Sequence, residues 1–233
     1  MIRGRSATPG SGEIGVIIPA YQSAAALGSV LSKVLQYVPK GRVYVVDDGS
    51  TDGTADCAGE FGVVLARHDH NRGKGAALRT GFRMALEDPV EAMITLDSDG
   101  QHDPDLIPRL IREWWSQGAD LMLGTRNFKG AMPWDRVLSN SLSSLIVSCV
   151  SGIRIPDSQC GYRLLSREVI ESLSLTGRLY ELETEILLKA ARVGYRIGFF
   201  PVTVRASKAA SHIRRIRDIV RYLGVIGRYI IEK

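Results

Sequence analysis

Two aspartates one residue apart, Asp97 and Asp99, close the apolar run 93–96 within the segment Asp97-Ser98-Asp99-Gly100-Gln101-His102. At a strand end such a pair can place one carboxylate on a divalent cation and the other on a ribose or a metal-bound water. Mg²⁺ and Mn²⁺ are hard ions that prefer oxygen ligands, so a cation held here would bridge protein and pyrophosphate oxygens and neutralise a departing nucleoside diphosphate. The competing reading is a turn, with Asp103-Pro104 capping the helix that follows, and Asp103 suits that cap. A second acidic strand end, Asp47-Asp48-Gly49-Ser50, makes a turn alone the poorer account.

Two further segments carry basic chemistry. In Asn71-Arg72-Gly73-Lys74-Gly75 the Lys74 ammonium either lies near donor phosphates or is a solvated lysine; with no Ser or Thr after it, the loop is not a nucleotide-hydrolysing P-loop. Arg126 and Arg136 stand ten residues apart, and arginine binds phosphate oxygens bidentately without losing its charge. His68 and His70 lack a third ligand, so zinc is not expected.

These residues need elements to hold them. Short β-branched runs at 14–19, 43–46, 63–66, 93–96 and 121–124 alternate with amphipathic runs at 24–37, 53–60, 75–86 and 104–117, an order that predicts a largely parallel sheet flanked by helices. The second half predicts helices over 136–150 and 182–193 and strands over 162–165 and 197–204. In an open α/β sheet ligands bind beyond the carboxyl ends of the strands, where the acidic and basic segments fall. The expected organisation is a leader over 1–12, one domain over 13–205, and a loop and helix over 206–233.

A composition 45% hydrophobic and 24% charged is that of a globular protein, and no apolar stretch is long enough for a membrane span. Three scattered cysteines suit free thiols in a cytoplasmic setting. The net charge of +5 favours anionic partners. Part of it lies at the end of the chain, where Arg214, Arg215, Arg217, Arg221 and Arg228 interleave with apolar residues at helical period, a basic amphipathic helix suited to an anionic membrane surface.

Taken together, Val46 to Thr54, Asn71 to Gly75 and Asp97 to Pro104 resemble family 2 inverting glycosyltransferases, and within them the dolichyl- or polyprenyl-phosphate mannose and glucose synthases. The resemblance implies a GT-A fold and a nucleotide-sugar site built from Pro19, Ala20, Tyr21, Asp47, Asp48, Lys74, Asp97, Ser98, Asp99 and Arg205. It implies Mg²⁺ or Mn²⁺ on Asp97, Asp99 and Gln101. Arg126, Arg136, Ser139 and Asn140 resemble the acceptor-phosphate site, Asp157-Ser158-Gln159-Cys160-Gly161-Tyr162-Arg163 a segment bordering the reaction centre, and Arg205, with Lys208, Ser211 and His212, a late phosphate-binding loop. The catalytic set would be Asp99, Arg126, Arg136 and Asp157, with a sugar-binding carboxylate among Glu181, Glu183 and Glu185. Where members commonly carry a carboxylate after Pro-x-Tyr, this chain has Gln22-Ser23.

The activity implied is inverting transfer of a hexose from a GDP-mannose or UDP-glucose type donor to a polyprenyl phosphate. It would take place on the cytoplasmic face of a membrane, with the protein peripheral and no nucleic acid involved. A phosphate monoester is already ionised near neutral pH, so no strong general base is needed. A hydroxyl acceptor, which would need one, is the alternative; a membrane- or nucleic-acid-binding module is the non-enzymatic alternative.

Overall fold

A computed structural model describes residues 13–126, 134–203 and 215–231, without the side chains of 134–138, 215–221 and 228. Its first strand, β1 (Ile14–Ala20), is buried at every position, as a strand covered on both faces must be. Around it run β2 (Val43–Asp47), β3 (Val64–Arg67), β4 (Ala92–Thr95), β5 (Leu121–Arg126), β6 (Arg163–Ser166) and β7 (Ile197–Val202) in one sheet of order β3-β2-β1-β4-β6-β5-β7. All pairings are parallel except those of β6, which runs antiparallel to both β4 and β5. The largely parallel sheet expected from the alternation is present; the reversed β6 is not something its short Arg-Leu-Leu-Ser run could signal.

Eight helices cover the sheet among the described residues: α1 (Ala24–Val34), α2 (Thr54–Glu60), α3 (Lys74–Leu86), α4 (Ile107–Gln117), α5 (Trp134–Ser151), α6 (Arg167–Ser172), α7 (Glu181–Val193) and α8 (Arg215–Ile231). Alternate residues of β1 feed two cores. Val16 and Ile18 pack with Leu27, Leu31 and Trp114 on the α1, α2 and α4 side, whereas Ile17 packs with Leu78, Phe82 and Leu187 on the other. Truncating fully buried Ile17 to alanine removes contacts from a closed core, at a typical cost of ~2–5 kcal/mol.

Several boundaries differ from the sequence reading. The helix expected over 24–37 ends at Val34, the one over 104–117 opens with the 3-10 turn Pro104–Leu106, and α6 and the 3-10 turn Lys40–Arg42 were not expected. Asp103 caps as expected, its carboxylate accepting from the Asp105 N–H at 3.3 Å.

α8 turns Val225, Ile226 and Tyr229 into the second core and leaves Leu223, Ile230 and Ile231 exposed. No helix among the described residues is long and apolar enough to cross a membrane. All three cysteines are free thiols, and burial pushes Cys160 up to about 12, so it is a packed thiol.

β1 is joined to β2 on one side and β4 on the other, which makes the gap beyond its carboxyl end a topological switch point. Asp47 ends β2 opposite Ala20, and Asp97 lies two residues beyond β4.

Candidate active site

Asp97 lies between two elements that the sequence keeps far apart. Its Oδ1 is 2.7 Å from the Lys74 Nζ at the start of α3, and the same ammonium is 3.0 Å from Glu183 Oε1 in the first turn of α7. Burial works against the charged form of Asp97, yet Lys74 first and then His102 and Arg126 hold its carboxyl below the usual range. Burial likewise opposes the charge on Lys74, and Asp97 and Glu183 outweigh it, keeping the amine protonated.

The backbone has to make room for this pairing. A Cβ on Gly161 would sit 2.6 Å from Asp97 Oδ2, so only glycine lets the 157–163 segment press against that carboxylate. A Cβ on Gly75 would meet the Leu179 carbonyl at 2.5 Å, which explains the second glycine beside Lys74.

Asp99 turns back on its own loop, its Oδ1 accepting from the Gln101 N–H at 2.9 Å. Burial, and then the neighbouring Asp97 charge, raise its pKa. Two crowded carboxylates beside an amide side chain form a hard-oxygen donor set that a divalent cation would relieve. No three His, Cys, Asp or Glu among the described residues cluster as a metal site. His102 is buried beneath the Tyr162 ring, centroids 5.6 Å apart, and burial lowers its pKa.

The ends of β1 and β2 are tied together by side chains. Asp47 is fully buried, accepting from the Ser50 N–H at 3.0 Å and lying 3.2 Å from Arg67 Nε. Asp48 turns both oxygens inward, to His68 Nδ1 at 2.7 Å and to the N–H groups of Arg72 and Gly73 at 2.9 and 2.7 Å. Gln22 adopts a left-handed φ of +51° and exchanges hydrogen bonds with Thr51, at 3.1 and 3.3 Å. Ser23 Oγ meets Ser98 Oγ at 2.8 Å. Pro19 and Ala20 are buried and Tyr21 half-buried at the same end.

The second cationic group is Arg126. Its Nε and Nη2 donate to the two oxygens of Asp157 at 2.7 and 2.9 Å, a bidentate pair in which Asp157 is 1% exposed. Asp157 therefore touches an arginine, and its bearing on substrate runs through that contact. Asn140 is buried and Ser139 exposed on α5. Arg136 belongs to the same helix, but its side chain lies outside the described residues, as do Arg205, Lys208, Ser211 and His212.

Of the three glutamates, Glu181 accepts from the N–H groups of Arg178 and Leu179, and Glu185 from Thr176, Gly177 and Lys189. Glu183 alone of the three reaches Lys74. The sequence reading overlooked Arg163, whose guanidinium is fully buried and donates to the carbonyls of Cys160, Glu183 and Ser158 at 2.8, 2.6 and 2.8 Å. A charged residue inside the apolar strand 162–165 was the available signal.

Paired aspartates and two cations fixed by carboxylates stand at the switch point of a doubly covered α/β sheet, the place where ligands bind in open α/β folds. The family model for glycosyl transferase family 2 matches residues 15–174, and the chain belongs to that family. It is 30% identical to the undecaprenyl-phosphate mannosyltransferase of Micrococcus luteus over 199 residues, 80% of this chain and 81% of that one. It is 29% identical to the polyprenol monophosphomannose synthase of Mycolicibacterium smegmatis, covering 91% and 87%. Among solved structures it matches glucosyl-3-phosphoglycerate synthase from Mycobacterium tuberculosis, crystallised with Mn²⁺, UDP-glucose and phosphoglyceric acid. That match has a TM-score of 0.75 and 22% identity over 94% of this chain and 79% of that one. The protein is a glycosyltransferase of GT-A fold.

Proposed function

We propose that this enzyme transfers a hexose, with inversion, from a GDP- or UDP-sugar to a polyprenyl phosphate at a membrane surface. The observation that carries the reading is a half-buried arginine, Arg126, fixed bidentately by the buried Asp157 and close enough to Asp97 to help depress its pKa. The names of the relatives from Micrococcus luteus and Mycolicibacterium smegmatis support the same acceptor.

On the donor side, Pro19, Ala20, Tyr21 and Asp47 contact the nucleoside, with Asp48 positioning the loop 68–73 beside it. Ser98 and the carboxylates of Asp97 and Asp99 face the ribose and sugar, and Asp97, Asp99 and Gln101 hold Mg²⁺ or Mn²⁺. The bound ion supplies neutralisation of the departing diphosphate. Lys74 keeps an ammonium beside those oxygens, and Arg205 adds a late phosphate contact.

On the acceptor side, Arg126, Arg136, Ser139 and Asn140 hold the phosphate monoester in line with the anomeric carbon, and Asp157 keeps the Arg126 fork in register. The phosphate oxygen attacks already ionised, so no side chain has to remove a proton. A hydroxyl acceptor would need a base, and Glu183, the glutamate facing the crevice, is paired with Lys74. In this reading 13–205 is the catalytic domain and 206–233, with the exposed Leu223, Ile230 and Ile231 of α8, meets the cytoplasmic membrane face.

The test is incubation with Mn²⁺, radiolabelled GDP-mannose or UDP-glucose, and polyprenyl phosphate. Labelled lipid that is stable to base treatment of acyl esters and needs Mn²⁺ is expected; label on free sugars or polysaccharide, with none on lipid, would overturn the acceptor assignment.

A further inference from the structure

A second basic concavity lies away from the active site. Between the end of β3 and the outer face of α3 runs a cleft of about 750 Å³, and Arg72, Arg79, Arg83 and Arg178 line it together with His68 and Thr80. Its size is that of a small-ligand site. Arg79 and Arg83 are one helical turn apart, a like-charge spacing that disfavours a helix unless something neutralises it.

The protein supplies little neutralisation. Arg72 lies 3.7 Å from Asp69, which is 92% exposed and therefore strongly screened. Arg79 donates to the Thr176 carbonyl at 3.3 Å, and Glu181 is turned to backbone N–H groups. Among the described residues the guanidinium groups of Arg83 and Arg178 have no carboxylate partner. Four planar forks converging on one concave surface are the donor set for phosphate oxygens.

We propose that this cleft binds a phosphate-bearing anion, and that its occupancy steadies the loop leading to Lys74. The route is a chain of hydrogen bonds. Thr80 in the cleft meets His68 Nε2 at 3.0 Å, His68 Nδ1 meets Asp48 at 2.7 Å, and Asp48 holds the N–H groups of Arg72 and Gly73 immediately before Lys74. An anion on Arg72 and Arg178 closes the same loop from outside, because Ala76 N–H already bonds the Arg178 carbonyl at 2.8 Å. The proposal does not depend on which sugar or acceptor the enzyme uses.

The probe is inorganic tripolyphosphate, titrated calorimetrically into the full chain with EDTA present so that no divalent cation brings it to the aspartates. One site is expected. The double variant Arg79→Ala, Arg83→Ala should weaken it at least tenfold, whereas Arg109→Ala, on the opposite face of the sheet and paired with Glu113, should leave it unchanged. Equal affinity in the double variant, or an equal loss in Arg109→Ala, overturns the site. On binding, exchange of the Arg72 and Gly73 amides should slow, and unchanged exchange overturns the link to Lys74. Vesicles with and without phosphatidylinositol phosphate identify the source. Retention that the double variant loses marks a lipid headgroup, and retention equal in both proteins marks a soluble anion.

Discussion

The half of the molecule built on β1, β2 and β4 and the half built on β5, β6 and α7 solve the same problem differently. In the first, each functional carboxylate follows its strand directly, and contacts such as Ser50 to Asp47 and Gln101 to Asp99 close within three residues. In the second, every important contact spans the chain: Arg126 to Asp157 over 31 residues, and Lys74 to Glu183 over 109. Local turns therefore shape the half built on β1, β2 and β4, while the other half depends on packing to bring charges together.

The sharpest way to break this contrast is Asp99→Ala. Its carboxylate bonds only a neighbouring N–H, so the fold should survive while transfer falls by about a thousandfold. Circular dichroism and turnover measured together check it; unchanged turnover removes the metal assignment. Asp157→Asn should do the opposite, costing ~3 kcal/mol of stability because it leaves the Arg126 charge poorly matched in a buried place. Denaturant melts would reveal it.

Gly161→Ala joins the two halves. A methyl group 2.6 Å from Asp97 Oδ2 must displace the carboxylate or the segment, and a displacement of about 1 Å should lower turnover by about a hundredfold. Wild-type kinetics would mean that the two halves adjust independently.

The smallest effect concerns pH. Burial alone would raise the Glu185 pKa, but Lys189, Gly177 and Thr176 outweigh it and lower it below 4.5. The stability this adds is present above the unfolded pKa and is lost as the pH falls through the folded one. Glu185→Gln should therefore cost ~1–2 kcal/mol at neutral pH, with the gap to wild type narrowing below pH about 4.5. A gap constant down to pH 3 would contradict the assignment.

The acidic strand ends at Asp47 and Asp97 were legible because they lie in contiguous segments that follow apolar runs. The sheet, five strand positions and the cap at Asp103 followed from alternation and local bonding. What stayed hidden was pairing at a distance. Asp48 reads as a donor ligand beside Asp47 but turns inward, since only the folded 68–73 loop offers it three donors. Lys74 reads as a phosphate ligand and lies on two carboxylates. Asp157 reads as a member of the catalytic set, and its grip on Arg126 could not be read from the sequence. The direction of β6 was equally out of reach, because a strand of four residues with two leucines at its centre carries no signal of which way it runs.

The ion pair of Lys74 with Asp97 and Glu183 has a consequence for the order of events. Asp97, Glu183 and Asp157 are paired with Lys74 and Arg126, and Asp99 adds a further carboxylate beside Asp97. Among these side chains the carboxylates outnumber the cations. A diphosphate arriving alone would meet repulsion, so ion and donor should load as a unit, each tightening the other.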